Sequence, residues 1–283
     1  MATAAVPPPP PLEYAGAWGI RGTGPGQLNA PVSMTVDTAG NVYIADAGNA
    51  CVSKFSGLGE QRLSFQDDRL VLHPVSIAVD GGGTMYLSDG HRGSVIIYRP
   101  DGSRLREMRL YVQADAGGTL RVAVDADGHI CVAGKKPFGV RKYTWRGRTV
   151  SPWKNTAATE AAVGEPAGLA AGPDGLVYVS DAARGAIRVY QRDGTLLRTL
   201  TAPGGGVPFA GIAVNAQWIV ATDPHGHALH VWTSGGAYRL GADLSPWITA
   251  ADPSPQAVAL TPGGECLVLD APGARVLRFR LHL

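Results

Sequence analysis

Five aspartates, Asp46, Asp89, Asp181, Asp223 and Asp270, each close an apolar run, and as a set they could serve as acids or calcium ligands. Their recurrence in one sequence context argues for another role, accepting backbone N–H groups from the loop that follows. His225, His227 and His230 crowd one short stretch, but a metal needs ligands converging in space, and this spacing fits no standard zinc pattern. At the entry to a copy of the recurring pattern only His73 stands, ahead of Pro74; other copies carry Asn29-Ala30, Glu165 or Ser254 nearby. There is no Gly-x-Ser-x-Gly elbow and no His-Glu-x-x-His; Gly134-Lys135 lacks both the spaced glycine and the following Ser or Thr of a phosphate loop. The expectation is no catalytic constellation, no metal and no cofactor.

Binding chemistry is better represented. Between Gly134 and Thr159 stand seven basic residues (Lys135, Lys136, Arg141, Lys142, Arg146, Arg148 and Lys154) and no acidic one. Such a run is either a solvated edge or a patch for an anion, phosphate or acidic partner. Arg92 and Arg184 occupy equivalent loops on either side of it. The tripeptide Ser-Pro-Trp occurs at Ser151–Trp153 and again at Ser245–Trp247. A Trp in a long connection is either a plug on a channel mouth or an exposed anchor of the kind found at interface hot spots. The candidate binding set is Arg92, Lys135, Lys136, Trp153, Arg184, His225 and Trp247.

The elements that must carry these residues repeat. Pro31–Asp46, Pro74–Asp89, Leu120–Gly134, Pro166–Asp181, Phe209–Asp223 and Pro255–Asp270 are copies of one pattern, ending 43, 45, 47, 42 and 47 residues apart. Each pairs two short apolar strands across a turn, and Asp-Gly between apolar runs is a hairpin signal. A third strand ends in an aromatic nine residues after the reference position: Phe55, Tyr98, Tyr143, Tyr190, Trp232 or Phe279. These rings are expected to pack between neighbouring copies. Four short strands form a meander that can bury its faces only against copies of itself, which is the logic of a propeller blade. The last copy lacks a fourth strand, and Tyr14–Ile20 is a spare one at the other end. Pairing the two closes the ring and removes an exposed edge. The fold class is all-β, a six-bladed propeller over residues 14–283 preceded by a Pro-rich arm over 1–13.

Gly24-Pro25-Gly26-Gln27-Leu28-Asn29-Ala30-Pro31, with Val42–Asp46 and Asn49, resembles the repeat of the NHL family of six-bladed propellers, "G-x-G-Q-F-x-x-P" followed by "V-Y-V-A-D-x-x-N". The resemblance extends from about Trp18 to the end. It departs where Gly134 replaces the Asp and where the Asn-x-Arg after the Asp shrinks to Asn49 or Arg275. The family includes sensors, partner- and RNA-binding modules, and a few lyases and hydrolases, so the resemblance implies a fold more than an activity.

Composition bounds the rest. With 45% hydrophobic and 17% charged residues the chain can build a large core, and 38 Gly with 21 Pro suit many turns. A net charge of +2 leaves any electrostatic specificity local. Cys51, Cys131 and Cys266 are expected as buried free thiols. With no signal-peptide pattern at the N-terminus as given, they favour a cytoplasmic location. No membrane span is expected, since no run of about eighteen apolar residues occurs. The expected function is a non-catalytic recognition propeller, a monomer or a subunit of a hetero-complex, binding a protein through a basic and aromatic loop face. A propeller enzyme (lyase or lactone hydrolase) at the channel mouth is the alternative, and nucleic-acid binding is the second alternative.

Overall fold

The computed structural model describes residues 10–67, 73–110, 120–135, 138–150, 163–248 and 255–283. Strand β1 (Leu12–Trp18) is followed by the first meander, β2 (Pro31–Val36), β3 (Val42–Asp46), β4 (Cys51–Phe55) and β5 (Gln61–Phe65), hydrogen-bonded antiparallel in that order. The tight turns form because short polar side chains take the place of strand partners. Asp37 Oδ1, for example, accepts the N–H groups of Ala39 and Asn41, and Asp80 Oδ1 accepts those of Gly82 and Thr84. The meander recurs to give six sheets arranged as a propeller. Blade three has three strands among the described residues, with an isolated bridge from Tyr143 to Thr149 beyond them.

The ring closes as the two chain ends require. β1 lies antiparallel to Arg275–Leu281, pairing Leu12 with Leu281 and Trp18 with Val276. The strand begins two residues earlier than Tyr14, so Leu12 and Glu13 belong to the sheet rather than the arm. Residues 1–9 of that arm lie outside the described residues. Arg280 and His282 both reach Glu13, stitching the same edge from outside.

Hydrophobic packing runs between blades. Phe55, Tyr98, Tyr190, Trp232 and Phe279 are fully buried, and Tyr143 lies buried in the same position of blade three. Phe55 packs with Leu267 and Leu269 of blade six, and Tyr98 with Tyr43 of blade one. All three cysteines are free and buried, as expected. Burial pushes the Cys131 and Cys266 thiols up to about 12.

The inner strands approach one another closely at one residue column, Ser33, Ser76, Arg121, Gly168, Gly211 and Ala257. A Cβ on Gly211 would stand 2.7 Å from the Ala257 Cα. Ser33 and Ser76 use the same proximity to accept the Ile77 and Val122 N–H groups of the next blade. No helix among the described residues is long and apolar enough to cross a membrane.

Candidate functional site

Each blade sends the loop between its second and third strands, and the connection leading into it, to one face. The tight turns emerge on the other. The recurring aspartates each hold the loop that follows or the connection that leads in, and Asp46 and Asp181 reach both. Asp46 accepts the Asn29 N–H at 2.7 Å from the incoming connection and the Asn49 N–H at 3.1 Å from the following loop. Asp89 holds the His91 and Arg92 N–H groups, Asp181 those of Gly164 and Glu165, Asp223 those of His225 and Gly226, and Asp270 that of Gly273. All five carboxylates are buried. Burial lifts the Asp46 carboxyl above its ordinary value, against the opposing pull of the Asn29 and Asn49 bonds. These groups therefore fix loops; they are not presented to a ligand.

On that scaffold the candidate residues fall into distinct environments. Arg92 and His225 are exposed while their own N–H groups are pinned. Arg184 is half engaged, its guanidinium 2.8 Å from Asp181. Lys135 is 53% exposed and stands 3.6 Å from Glu165, so its charge already has a neighbour across the blade boundary. Lys136 and Trp153 lie outside the described residues. Trp247 takes neither of its expected places. It stacks on Tyr14 at 5.7 Å and meets Phe279 edge-on at 5.3 Å, half-buried, while its carbonyl accepts from Arg275. It secures the closing strand. Blade two adds a group of which the sequence singled out only His73: exposed His73 and His91, ring centroids 5.2 Å apart, with Arg109 75% exposed on the same blade.

The basic run does not form one patch. A chain passing from loop to strand to turn distributes consecutive residues among both faces and the interior. Lys142 is buried, 2.6 Å from Asp125. Arg141 lies over the Phe138 ring at 4.4 Å, and Arg146 over exposed Trp145 at 4.9 Å in the opposite-face turn. The three histidines also diverge. His225 points outward, whereas His230 packs into blade five with Phe209, Trp232 and Tyr238, where burial lowers its pKa against the pull of Asp223. Among the described residues, the grouping of metal-ligand type is Asp125, Asp127 and His129, in one turn of blade three. The Asp125 carboxylate there is already engaged by Lys142 and the His129 N–H.

Inside the ring is a channel of about 360 Å³ bounded by the six inner strands. Val and Ala supply most of its side chains, and the inner strands' backbone groups supply most of its accessible surface. Arg121 is the one ionisable residue among the described lining residues. Its Nε donates to the Ala167 carbonyl at 2.6 Å and its Nη1 to the Val75 carbonyl at 3.3 Å, so the guanidinium bridges blades two and four. Burial depresses its pKa to about 10. The signal was present in the sequence: in the column Ser, Ser, Arg, Gly, Gly, Ala, one member is long and charged.

Comparison with known proteins agrees with this architecture. The NHL repeat family matches residues 28–55. The matched repeat and the six-bladed ring together support an NHL-repeat propeller. Virginiamycin B lyase from Staphylococcus aureus superposes with a TM-score of 0.68 at 13% identity, over 95% of this chain and 99% of that one. Kuenenia stuttgartiensis hydrazine synthase gives 0.63 at 11% identity, over 90% and 96%. A chain of a nidogen/laminin complex gives 0.60 at 14%, over 75% and 80%. At such identities the likeness is one of fold. No curated protein matches the chain in sequence.

Proposed function

We propose that the chain is a non-catalytic recognition propeller that binds a protein partner through the loop face bearing Arg92, Lys135, Arg184 and His225. The observation that carries this reading is the set of buried aspartates. They hold the loops of Arg92 and His225 by the backbone and Arg184 by its side chain, so little ordering entropy is lost at the clamped loops when a partner docks. Lys135 stands in the blade-three loop that has Gly134 in place of the aspartate. Trp247 is committed to ring closure and is not part of that face. The test is affinity purification of the intact protein beside Arg92→Glu/Lys135→Glu. Loss of a co-purifying protein at unchanged melting temperature supports the reading, and identical co-purifying sets would remove this face from consideration. A log–log salt slope as steep as phosphate neutralisation requires would shift the reading to nucleic acid.

A second reading, a lyase or lactone hydrolase at the channel mouth, is supported by the likeness to virginiamycin B lyase. It requires a carboxylate–histidine cluster converging from at least three blades. The described lining residues offer Arg121 instead, which suits holding a ligand better than transferring a proton at neutral pH.

A further inference from the structure

Independently of the loop face, we propose that the central channel is a binding site for a small carboxylate with an aliphatic body, its head group held by Arg121. A guanidinium carries five N–H donors and remains protonated at neutral pH even with the depression that burial imposes here. Two donors are spent on the Val75 and Ala167 carbonyls. Carbonyl dipoles solvate the cation without neutralising it, and no acidic side chain pairs with Arg121 among the described residues. A charge enclosed in the ring, with backbone dipoles around it and no counter-ion among the described residues, is costly, and an entering anion relieves that cost.

The ring itself does not ask for this arginine. The equivalent residues are Ser33, Ser76, Gly168, Gly211 and Ala257, all small, and the seam between inner strands closes around them by direct backbone approach or a serine hydroxyl. A residue that breaks a structural column at a destabilising position is a candidate for function. The walls define the rest of the ligand. The channel's volume of about 360 Å³ is that of a small-molecule site, and Val32, Val75, Val79, Leu169, Val214 and Leu260 line it. An inorganic anion would satisfy Arg121 and leave these side chains in contact with water. An aliphatic carboxylate satisfies both, gaining about three- to fourfold in affinity per buried methylene.

Calorimetric titration of the full chain with acetate, butyrate, hexanoate, hexanol and inorganic phosphate tests the assignment. Affinity should climb from acetate to hexanoate, with hexanol and phosphate each at least tenfold weaker than hexanoate. Arg121→Ser installs the residue of blades one and two and should fold; Arg121→Gln keeps an N–H donor and removes only the charge. Both should lose at least tenfold in hexanoate affinity, and Arg121→Ser should melt no lower than wild type in ligand-free buffer. The proposal is overturned if wild type shows no saturable binding, or if either variant binds hexanoate as well as wild type. Phosphate outbinding hexanoate would overturn the aliphatic body. A marked fall in the Arg121→Ser melting temperature would make Arg121 a strut between carbonyls instead of a ligand-binding residue.

Discussion

Blades three and four are neighbours with the same strand rhythm, and they differ at coordinated positions. Blade four has four strands, and Asp181 clamps its loops through Gly164, Glu165 and Arg184. Blade three has Gly134 at that position. A Cβ there would stand 2.9 Å from the Phe138 ring, and what links its loop to the next connection is the exposed Lys135–Glu165 pair. Exposed pairs of this kind contribute about 0–1 kcal/mol. In blade four the Tyr178 hydroxyl donates to Asp174 in the turn, and burial with Asp174 raises the phenol's pKa. In blade three the equivalent residue is Cys131, and Lys142 from the third strand reaches the turn carboxylate of Asp125 instead. The inner-strand column reads Gly168 in one blade and Arg121 in the other. A carboxylate under a turn must be satisfied in any blade. Blade three meets that need with a buried cation and then departs from the pattern elsewhere.

The largest effect tests how far a blade can do with three strands. A chain beginning at Gly19 strips β1 from blade six and uncovers Val276, Leu277 and Phe279, all fully buried in the ring. Since a domain's whole stability is roughly 5–15 kcal/mol, this loss should abolish cooperative unfolding by circular dichroism. A truncated chain that melted like the parent would mean that ring closure contributes nothing.

Next in size is Lys142→Met. Removing one partner of a buried ion pair strands the other, so a loss of about 3–5 kcal/mol is expected in denaturant unfolding at pH 7. Burial raises the Asp125 pKa, but the Lys142 and His129 hydrogen bonds and the Lys142 charge outweigh it and hold the carboxyl below its ordinary value. A depressed carboxylate stabilises the fold above its unfolded pKa, and that contribution fades as pH falls through the folded value. The cost of Lys142→Met should therefore shrink in acid below about pH 4. A cost independent of pH would assign Lys142 to packing alone.

The smallest pair of effects addresses the clamp directly. Asp181→Ala in blade four should cost about 2–3 kcal/mol, because it leaves enclosed N–H donors unpaired. Gly134→Asp in blade three restores the repeat residue yet should still destabilise, by about 1–3 kcal/mol, through overpacking against Phe138 and Leu120. Stabilisation by Gly134→Asp would show that blade three is an ordinary blade lacking its clamp.

The blade count was legible in the chain because each blade is a local meander whose turns and strand ends need particular residues. The aspartates and the third-strand aromatics could be assigned for the same reason, since recurrence marks what every blade requires. The candidate site was less legible. The run from Lys135 to Lys154 looks continuous along the chain, but strand alternation and the hairpin bury Lys142 and send Arg146 to the far face. Trp247 shares its tripeptide with Trp153, yet its surroundings are set by Tyr14, more than two hundred residues away along the chain.

Sequence by itself determined the meander, the number of its copies and the complementarity of the two chain ends, because these depend on turn chemistry and period. Only the closed ring decided what stands on its axis. Arg121 meets carbonyls 46 residues away on either side because circular stacking brings equivalent strands of blades two and four to hydrogen-bonding distance of one side chain.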